Sequence, residues 1–382
     1  MSRPLYISQP MLPDIQDFEA MLKQVWESQI LTNAGPLHNR LETELQSYLG
    51  TPTAKLFNNG TIALIAALKL FDLPIGSEVI TTPLTFAATA HAIQWNGLTP
   101  VFVDVDPKTL TIDPESVKLA ITAKTSAILG VHVYGTVCHL DALQEIANAH
   151  DLPLIYDAAH AFGTRVDGRS VAAYGDASIY SFHATKLFHT LEGGMIATPN
   201  RSDQDPIYFL RNFGIKNVEE VIGVGINGKL NEIQAAMGLL NLPKVESERD
   251  KRSILRGKYQ EFLEGIPGVR LQVKQPGVTS SQQYFPIIID QNEFGKSRDD
   301  VYEALKLKSI FARKYFHPIC TDFTPYRDFP IISKRPTPYV ETAKSQVLCL
   351  PFHSGVSDED LKDIREVFAV LAEAKHLKSE FR

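Results

Sequence analysis

Cysteine is scarce: Cys138, Cys320 and Cys349 are the only three in 382 residues. Their number is odd and no pair has Cys-x-x-Cys spacing. Neither a disulfide framework nor a zinc site is indicated, and the thiols read as buried or idle in a reducing compartment. No run of about 18 uninterrupted apolar residues occurs, so no membrane-spanning helix is expected. Basic runs are missing too, and a formal charge of −6 argues against a nucleic-acid surface. The opening MSRPLYISQPMLPD lacks the apolar stretch of a secretory signal, so a cytoplasmic protein is expected. There is no Gly-x-Ser-x-Gly, no His-Glu-x-x-His and no Gly-x-Gly-x-x-Gly after a strand. Serine-hydrolase, metallopeptidase and dinucleotide-dependent chemistry lose their usual signatures, and no metal is expected.

What is present is a long alternation of short apolar runs with helical patterns. Apolar residues make up 44% of the chain, ordinary for a globular protein, and 382 residues suit one large domain with a smaller one. Strands are expected at 54–57, 78–83, 99–106 and 127–135, and helices at 61–71, 85–95, 114–123 and 139–150. Repeated βα units of this kind predict a mostly parallel sheet covered on both faces. Ahead of them, 14–30 and 37–49 read as amphipathic helices flanking the loop Leu31-Thr32-Asn33-Ala34-Gly35-Pro36. A helix from about 230 is expected to run into the charged stretch ESERDKR, read as a solvated face. Strands VRLQV and YFPIIID and helices opening after Ser297 and Ser357 follow, the latter with a capping box in form.

Residues 154–194 organise the rest. Leu154-Ile155-Tyr156 reads as a buried strand delivering Asp157 at its carboxyl end, where open α/β sheets bind ligands. Ala158 and Ala159 leave room beside the acid. A second strand, 177–182, delivers His183-Ala184-Thr185-Lys186, and Gly193-Gly194 predict a tight backbone turn before Met195. An acid and a lysine on adjacent strands suit pyridoxal phosphate. The amine forms a Schiff base with the aldehyde, and the carboxylate keeps the ring nitrogen protonated. Taken alone, the two residues fit a helix cap and a solvated lysine better than a cofactor site. Asn58-Asn59-Gly60-Thr61 before an apolar helix makes an anion site or a packing turn. His132 and Tyr134, at the end of another strand, read as structural.

The segments DAAHA, GDASIYSFHATK and EGG, in that order, resemble the core of the DegT/DnrJ/EryC1/StrS sugar aminotransferases. Residues 225–236, GINGKLNEIQAA, resemble a further signature of that family, as do RKYFHP and LPFHSG near the end. The resemblance covers nearly the whole chain. It implies the fold type I of pyridoxal-phosphate enzymes, aspartate aminotransferase-like and α/β. A large domain with a mostly parallel sheet would span 1–250 and a smaller α+β domain 251–382. It makes Lys186 the catalytic lysine and Asp157 the partner of the ring nitrogen. Gly60, Thr61 and Ser181 fall at the cofactor phosphate, Phe86 on the ring face and His160 at the ring or its 3-hydroxyl. Asn227 would reach the phosphate in a partner subunit, giving a homodimer with shared active sites. Lys229, His183, Tyr315 and His317 are implied on the substrate side.

The implied reaction takes an amino group from L-glutamate to a nucleotide-linked keto-deoxysugar, in making deoxyamino sugars such as those of lipopolysaccharide O-antigen. SFHATK followed by FxTxEGG looks most like the branch acting on dTDP-4-keto-6-deoxy-D-glucose. His183-Ala184 stand where many members have Tyr-Pro, so a 3-keto or a UDP- or GDP-linked sugar stays open. Lys186 occupies the position that is histidine in the family's dehydratases, which favours transamination. A regulator keeping the fold without turnover is the reading from another class, and the intact lysine argues against it.

Overall fold

The computed structural model describes residues 3–327 and 336–380. A seven-stranded sheet dominates, in the order Thr53–Phe57, Gly194–Thr198, Ala177–Ser181, Leu154–Asp157, Thr125–Val131, Glu78–Thr81, Thr99–Phe102. Gly194–Thr198 runs antiparallel to both neighbours, and every other pairing is parallel. The α/β expectation with a mostly parallel sheet therefore holds.

Leu154–Asp157 and Gly194–Thr198 are buried throughout, because helices cover both faces. Alternation sorts their side chains between two cores. Leu154, Tyr156 and Tyr180 pack with Leu41 and Leu45 of helix Pro36–Leu49 and with Leu143 of helix Leu140–Ala149. Ile155 and Ile179 face the other way, toward Ala63 and Leu64 of helix Gly60–Leu70 and Ile93 of helix Ala87–Trp95. Asp157 shares the parity of Ile155, so it too faces helix Ala87–Trp95.

Helix starts follow their capping chemistry. Asp14 accepts from the Gln16 N–H to open Ile15–Ser28, and Asn59 accepts from the Ile62 N–H to open Gly60–Leu70. Ser357 and Asp360 make the reciprocal capping bonds read from the sequence. Helix Pro114–Ala120 is shorter than expected.

Two expectations are corrected. The helix from about 230 is broken into Glu232–Asn241 and Val245–Leu263 by a 3₁₀ turn at Leu242–Lys244, because Pro243 carries no N–H to continue the ladder. The charged stretch is not wholly solvated: Glu248 and Arg252, one turn apart, are buried and ion-paired at 2.8 Å. Their helix leads off the large sheet, so its inner face is covered by the segments around 282 and 354.

A second core gathers around the antiparallel sheet Val269–Leu271, Phe285–Ile289, Val347–Leu350. Tyr259 and Leu263, Val301 and Leu305, and Ile364 and Phe368 close over it from three helices. The division at residues 250 and 251 stays a proposal, since two short strands cross it. Leu5–Tyr6 pairs in parallel with Ile310–Phe311, and Val278–Thr279 pairs with Arg165–Val166. No described helix is long and apolar enough to cross a membrane.

Candidate active site

A cavity of about 290 Å³ lies at the carboxyl ends of the parallel strands, and Asp157 and Lys186 both line it. A larger hollow of about 520 Å³, near Asp106, His139 and Gln275, is open to solvent and lined by charges of both signs. It lacks a lysine set against a buried acid, so the smaller cavity carries the chemistry.

Asp157 is almost wholly enclosed. Its Oδ1 accepts from the Ala159 N–H at 3.1 Å and its Oδ2 from the Thr89 hydroxyl at 2.8 Å. Burial pushes its carboxyl above the usual range, while those donors and the Lys186 charge pull the other way. No side-chain cation hydrogen-bonds it among the described residues, so the acid is poised for a cationic partner from outside the chain. Thr89 in turn meets the Thr85 hydroxyl at 2.8 Å.

Lys186 follows strand Ala177–Ser181 on a tight turn in which its N–H donates to the His183 carbonyl at 2.9 Å. Its Nζ lies 5.9 Å from the centre of the Tyr284 ring. Burial lowers the ammonium to about 8, partly opposed by Asp157. An amine there can be neutral near physiological pH and act as a base. His160 is held neutral by burial, and its Nδ1 accepts from the Tyr134 N–H at 3.2 Å. The other nitrogen, Nε2, therefore carries the proton. Its ring lies parallel to Phe316 at 5.9 Å and edge-on to Tyr284 at 5.0 Å.

The cavity also gathers Gly60, Thr61, Phe86 and Ser181, and at its rim His183 and Tyr315. Gly60 opens its helix against the end of the neighbouring strand; a Cβ there would fall 2.9 Å from the Ser181 Cβ, so only glycine allows the approach. The expected tight turn at Gly193-Gly194 is corrected. Neither residue has a positive φ, and a Cβ on Gly194 would sit 2.4 Å from the Asn59 carbonyl oxygen. Gly194 is there for close backbone approach beside the Asn59–Gly60 turn, and Gly193 for close packing against the Thr190 side chain.

Asn227, Lys229 and His317 do not line this cavity. Asn227 is exposed on an excursion spanning 212–228, where Val218, Val221 and Val224 are also exposed. Lys229 donates to Asn212 at 3.1 Å and lies 4.7 Å above the Phe213 ring. His132 stacks on Tyr156 outside the cavity, and Tyr134 donates to the Tyr315 carbonyl at 2.6 Å.

The family's sequence profile matches residues 14–369. The chain belongs to the DegT/DnrJ/EryC1/StrS aminotransferase family. It is 43% identical over 356 residues to the dTDP-4-amino-4,6-dideoxy-D-glucose transaminase of Escherichia coli, covering 92% of this chain and 95% of that one. Its identity to the Shigella dysenteriae enzyme of the same name is 42%, over 95% and 98% of the two chains. A crystal structure of DesI, determined in the presence of its TDP-sugar product, superposes with a TM-score of 0.91 at 35% identity, covering 100% of this chain and 96% of that one. As a DegT/DnrJ/EryC1/StrS aminotransferase the chain uses pyridoxal phosphate.

Sequence reasoning missed Tyr284, Phe316 and Glu192 in this aminotransferase cavity, and Thr89, which supports Asp157 from outside it. Thr89 had a signal, since it stands three residues after Phe86 and so shares its helix face. The others lie far from the acid in sequence or, like Glu192, were absorbed into a glycine motif. Glu192 sits at the rim, 3.5 Å from the His183 Nε2.

Proposed function

We propose that this protein transfers an amino group from L-glutamate to a nucleotide-linked 4-keto-6-deoxy sugar, yielding dTDP-4-amino-4,6-dideoxy-D-glucose from dTDP-4-keto-6-deoxy-D-glucose. The observation that carries the proposal is a depressed lysine and a buried, cation-seeking acid facing one cavity in a chain so similar to transaminases of that name.

The residues present fit pyridoxal phosphate. The cradle at Gly60, which a Cβ would fill, and the start of its helix suit a phosphate, with Thr61 and Ser181 beside it. Phe86 supplies an aromatic face and His160 a fixed Nε2–H for the ring or its 3-hydroxyl. Bound there, the cofactor supplies an aldehyde that carries the amino group and a ring that accepts electrons. Asp157 would keep the ring nitrogen protonated, and the Thr89 hydroxyl and the Ala159 N–H favour the charged form of Asp157. Lys186 Nζ would take the α-proton of glutamate as base and give it up again as acid. Tyr284 and Phe316 keep water from that amine.

Asn227 and Lys229 act in a second copy's cavity and near the sugar nucleotide's charge respectively, which accounts for an exposed apolar excursion around them. His183, Tyr315 and His317 complete the substrate side. Three free thiols, all buried, suit the reducing cytoplasm in which we place the reaction.

The test is direct. Purified protein loaded with pyridoxal phosphate should lose its yellow band on adding L-glutamate and recover it on adding dTDP-4-keto-6-deoxy-D-glucose, with the aminated sugar identified by mass spectrometry and NMR. A band indifferent to glutamate would refute the donor. Recovery only with a 3-keto or a UDP- or GDP-linked sugar would redirect the acceptor.

A further inference from the structure

The side-chain amide of Gln283, nearly wholly buried and contributed by the second core, meets the backbone on both sides of Lys186. Its Oε1 accepts from the Leu187 N–H at 2.7 Å, and its Nε2 donates to the Thr185 carbonyl at 3.1 Å. In a parallel ladder, a residue bonds the carbonyl before and the N–H after the residue it faces. One planar amide here does the same for Lys186. The lysine's own N–H is already taken by the His183 carbonyl, so its peptide is held at three successive positions.

Gln283 is itself fixed. Ser281 donates its hydroxyl to the His160 carbonyl at 2.6 Å, and its N–H donates to the Thr164 hydroxyl at 3.0 Å. Arg256 donates to the Gln282 side chain at 2.6 Å and to the Tyr284 carbonyl at 3.0 Å. Tyr284 then turns its ring toward both Lys186 and His160. Residues 281–284 thus form one strap that touches the lysine's peptide, the lysine's amine and the segment after the acid.

We propose that Gln283 is a positioning residue for Lys186, its amide clamping the lysine's peptide so that the amine alone moves during proton transfer. The inference rests on the reading of Lys186 as the transaminase lysine. Its chemical rationale is that an amine shuttling a proton between two carbons on either side of a nitrogen must hold its distance to each; a misplacement of about 1 Å costs on the order of 100-fold in rate. A purely structural role, fastening the second core to the first, would lower stability without touching the lysine.

Two variants separate these roles. Gln283→Leu keeps the volume and removes both bonds. Gln283→Glu keeps the acceptor for the Leu187 N–H and loses the donor to Thr185. In the holoenzyme, the glutamate half-reaction of Gln283→Leu should slow by about 10- to 100-fold, read by stopped-flow bleaching of the yellow band at saturating glutamate. In cofactor-free protein, the pH at which Lys186 is half acylated, read by mass spectrometry of its peptide, should rise in both variants, because a loosened lysine leaves the burial that depresses its amine. Thermal unfolding of both variants is followed alongside. Lowered stability with wild-type bleaching rates and a wild-type acylation profile overturns the clamp. If the leucine variant does not fold, the glutamate variant decides through the acylation profile. Wild-type protein that forms no yellow band would overturn the reading of Lys186 itself, and the clamp with it; a normal wild-type band beside unaltered variants overturns the clamp alone.

Discussion

Replacing Lys186 by methionine should abolish turnover and, in cofactor-free protein, stabilise the fold. The Lys186 amine is enclosed in the cavity wall with no acid hydrogen-bonded to it among the described residues. Burial lowers Lys186 from 10.5 to about 8, so the folded state holds its proton less tightly than the unfolded chain. Each tenfold loss of proton affinity is worth about 1.4 kcal/mol, so the drop from 10.5 to about 8 amounts to roughly 3 kcal/mol. The sign is destabilising for the native lysine. Below pH 8 both states are protonated and the full penalty applies; between 8 and 10.5 the unfolded chain binds the extra proton and the penalty fades; above 10.5 it is gone. Methionine has a similar length and no charge, so it escapes the penalty. Urea unfolding of wild type and Lys186→Met, both cofactor-free, should show the variant more stable by up to about 3 kcal/mol at pH 7, falling to about 1.4 kcal/mol at pH 9.5. Equal stabilities at pH 7, or a gap that does not shrink as pH rises, would refute the reasoning. A yellow, active Lys186→Met protein would refute the assignment of the lysine.

Thr89→Val removes a donor to a carboxylate, worth about 1.5–3 kcal/mol; cofactor affinity should fall by about 10- to 100-fold, and the acid limb of the pH–rate profile should move upward, since Asp157 loses a bond that favours its charged form. Unchanged limb and affinity in a folded variant would count against that role. Lys186→Ala and Asn227→Ala proteins, each inactive alone, should regain about a quarter of wild-type activity when unfolded, mixed in equal amounts and refolded, because half the dimers are then hybrids with one intact site. No recovery from well-folded mixtures would place Asn227 outside the partner's cavity. Glu42→Ala should destabilise by about 3–5 kcal/mol by leaving Arg211 buried without its acid; a loss below about 1 kcal/mol in chemical denaturation would contradict it.

The acid and the lysine are legible because one ends and the other closely follows a strand whose apolar run is unmistakable, and strand ends are where such sheets bind ligands. The turn at Gly60 is legible for a similar reason, as a strand, a short polar stretch and an apolar helix in sequence. What holds those residues is not legible. Gln283 and Tyr284 lie about a hundred positions beyond the lysine and announce nothing by type, because a strand's entry residue reads the same whether it faces solvent or a second core. The glycine pair at 193–194 suggests conformational freedom, but Gly194 is there for contact with the Asn59 backbone, which no local pattern reveals. Pro243 could have broken the long helix on paper, since proline in a helix interior removes one rung of the ladder. Burial of Glu248 and Arg252 could not have been foreseen, as an i,i+4 ion pair looks alike on an exposed face.

The same contrast governs how the excursion bearing Asn227 is tied to the Gly60 turn. Glu42, buried on helix Pro36–Leu49, accepts from Arg211, from Lys55 at 2.9 Å and from the Leu56 N–H at 3.0 Å, and meets the His38 ring at 3.1 Å. Burial alone would raise its carboxyl, yet Arg211, His38 and Lys55 together hold it well below the usual range. Arg211 also donates to the Leu56 carbonyl at 2.8 Å, so one acid and one guanidinium pin the strand that runs into Asn58 and Gly60. The Arg211 carbonyl then accepts from the Gly228 N–H at 2.9 Å, and the Gly228 carbonyl from the Asn58 N–H at 2.8 Å. Both ends of the excursion are thereby hung on the strand that delivers the candidate phosphate site. Arg211 and Glu42 touch nothing in the cavity, but through them the Gly60 turn and the segment carrying Asn227 and Lys229 share one rigid support. A buried ion pair is a poor source of net stability, since desolvation offsets most of its attraction. Its directional bonds, however, fix a register that apolar packing would leave free to slide.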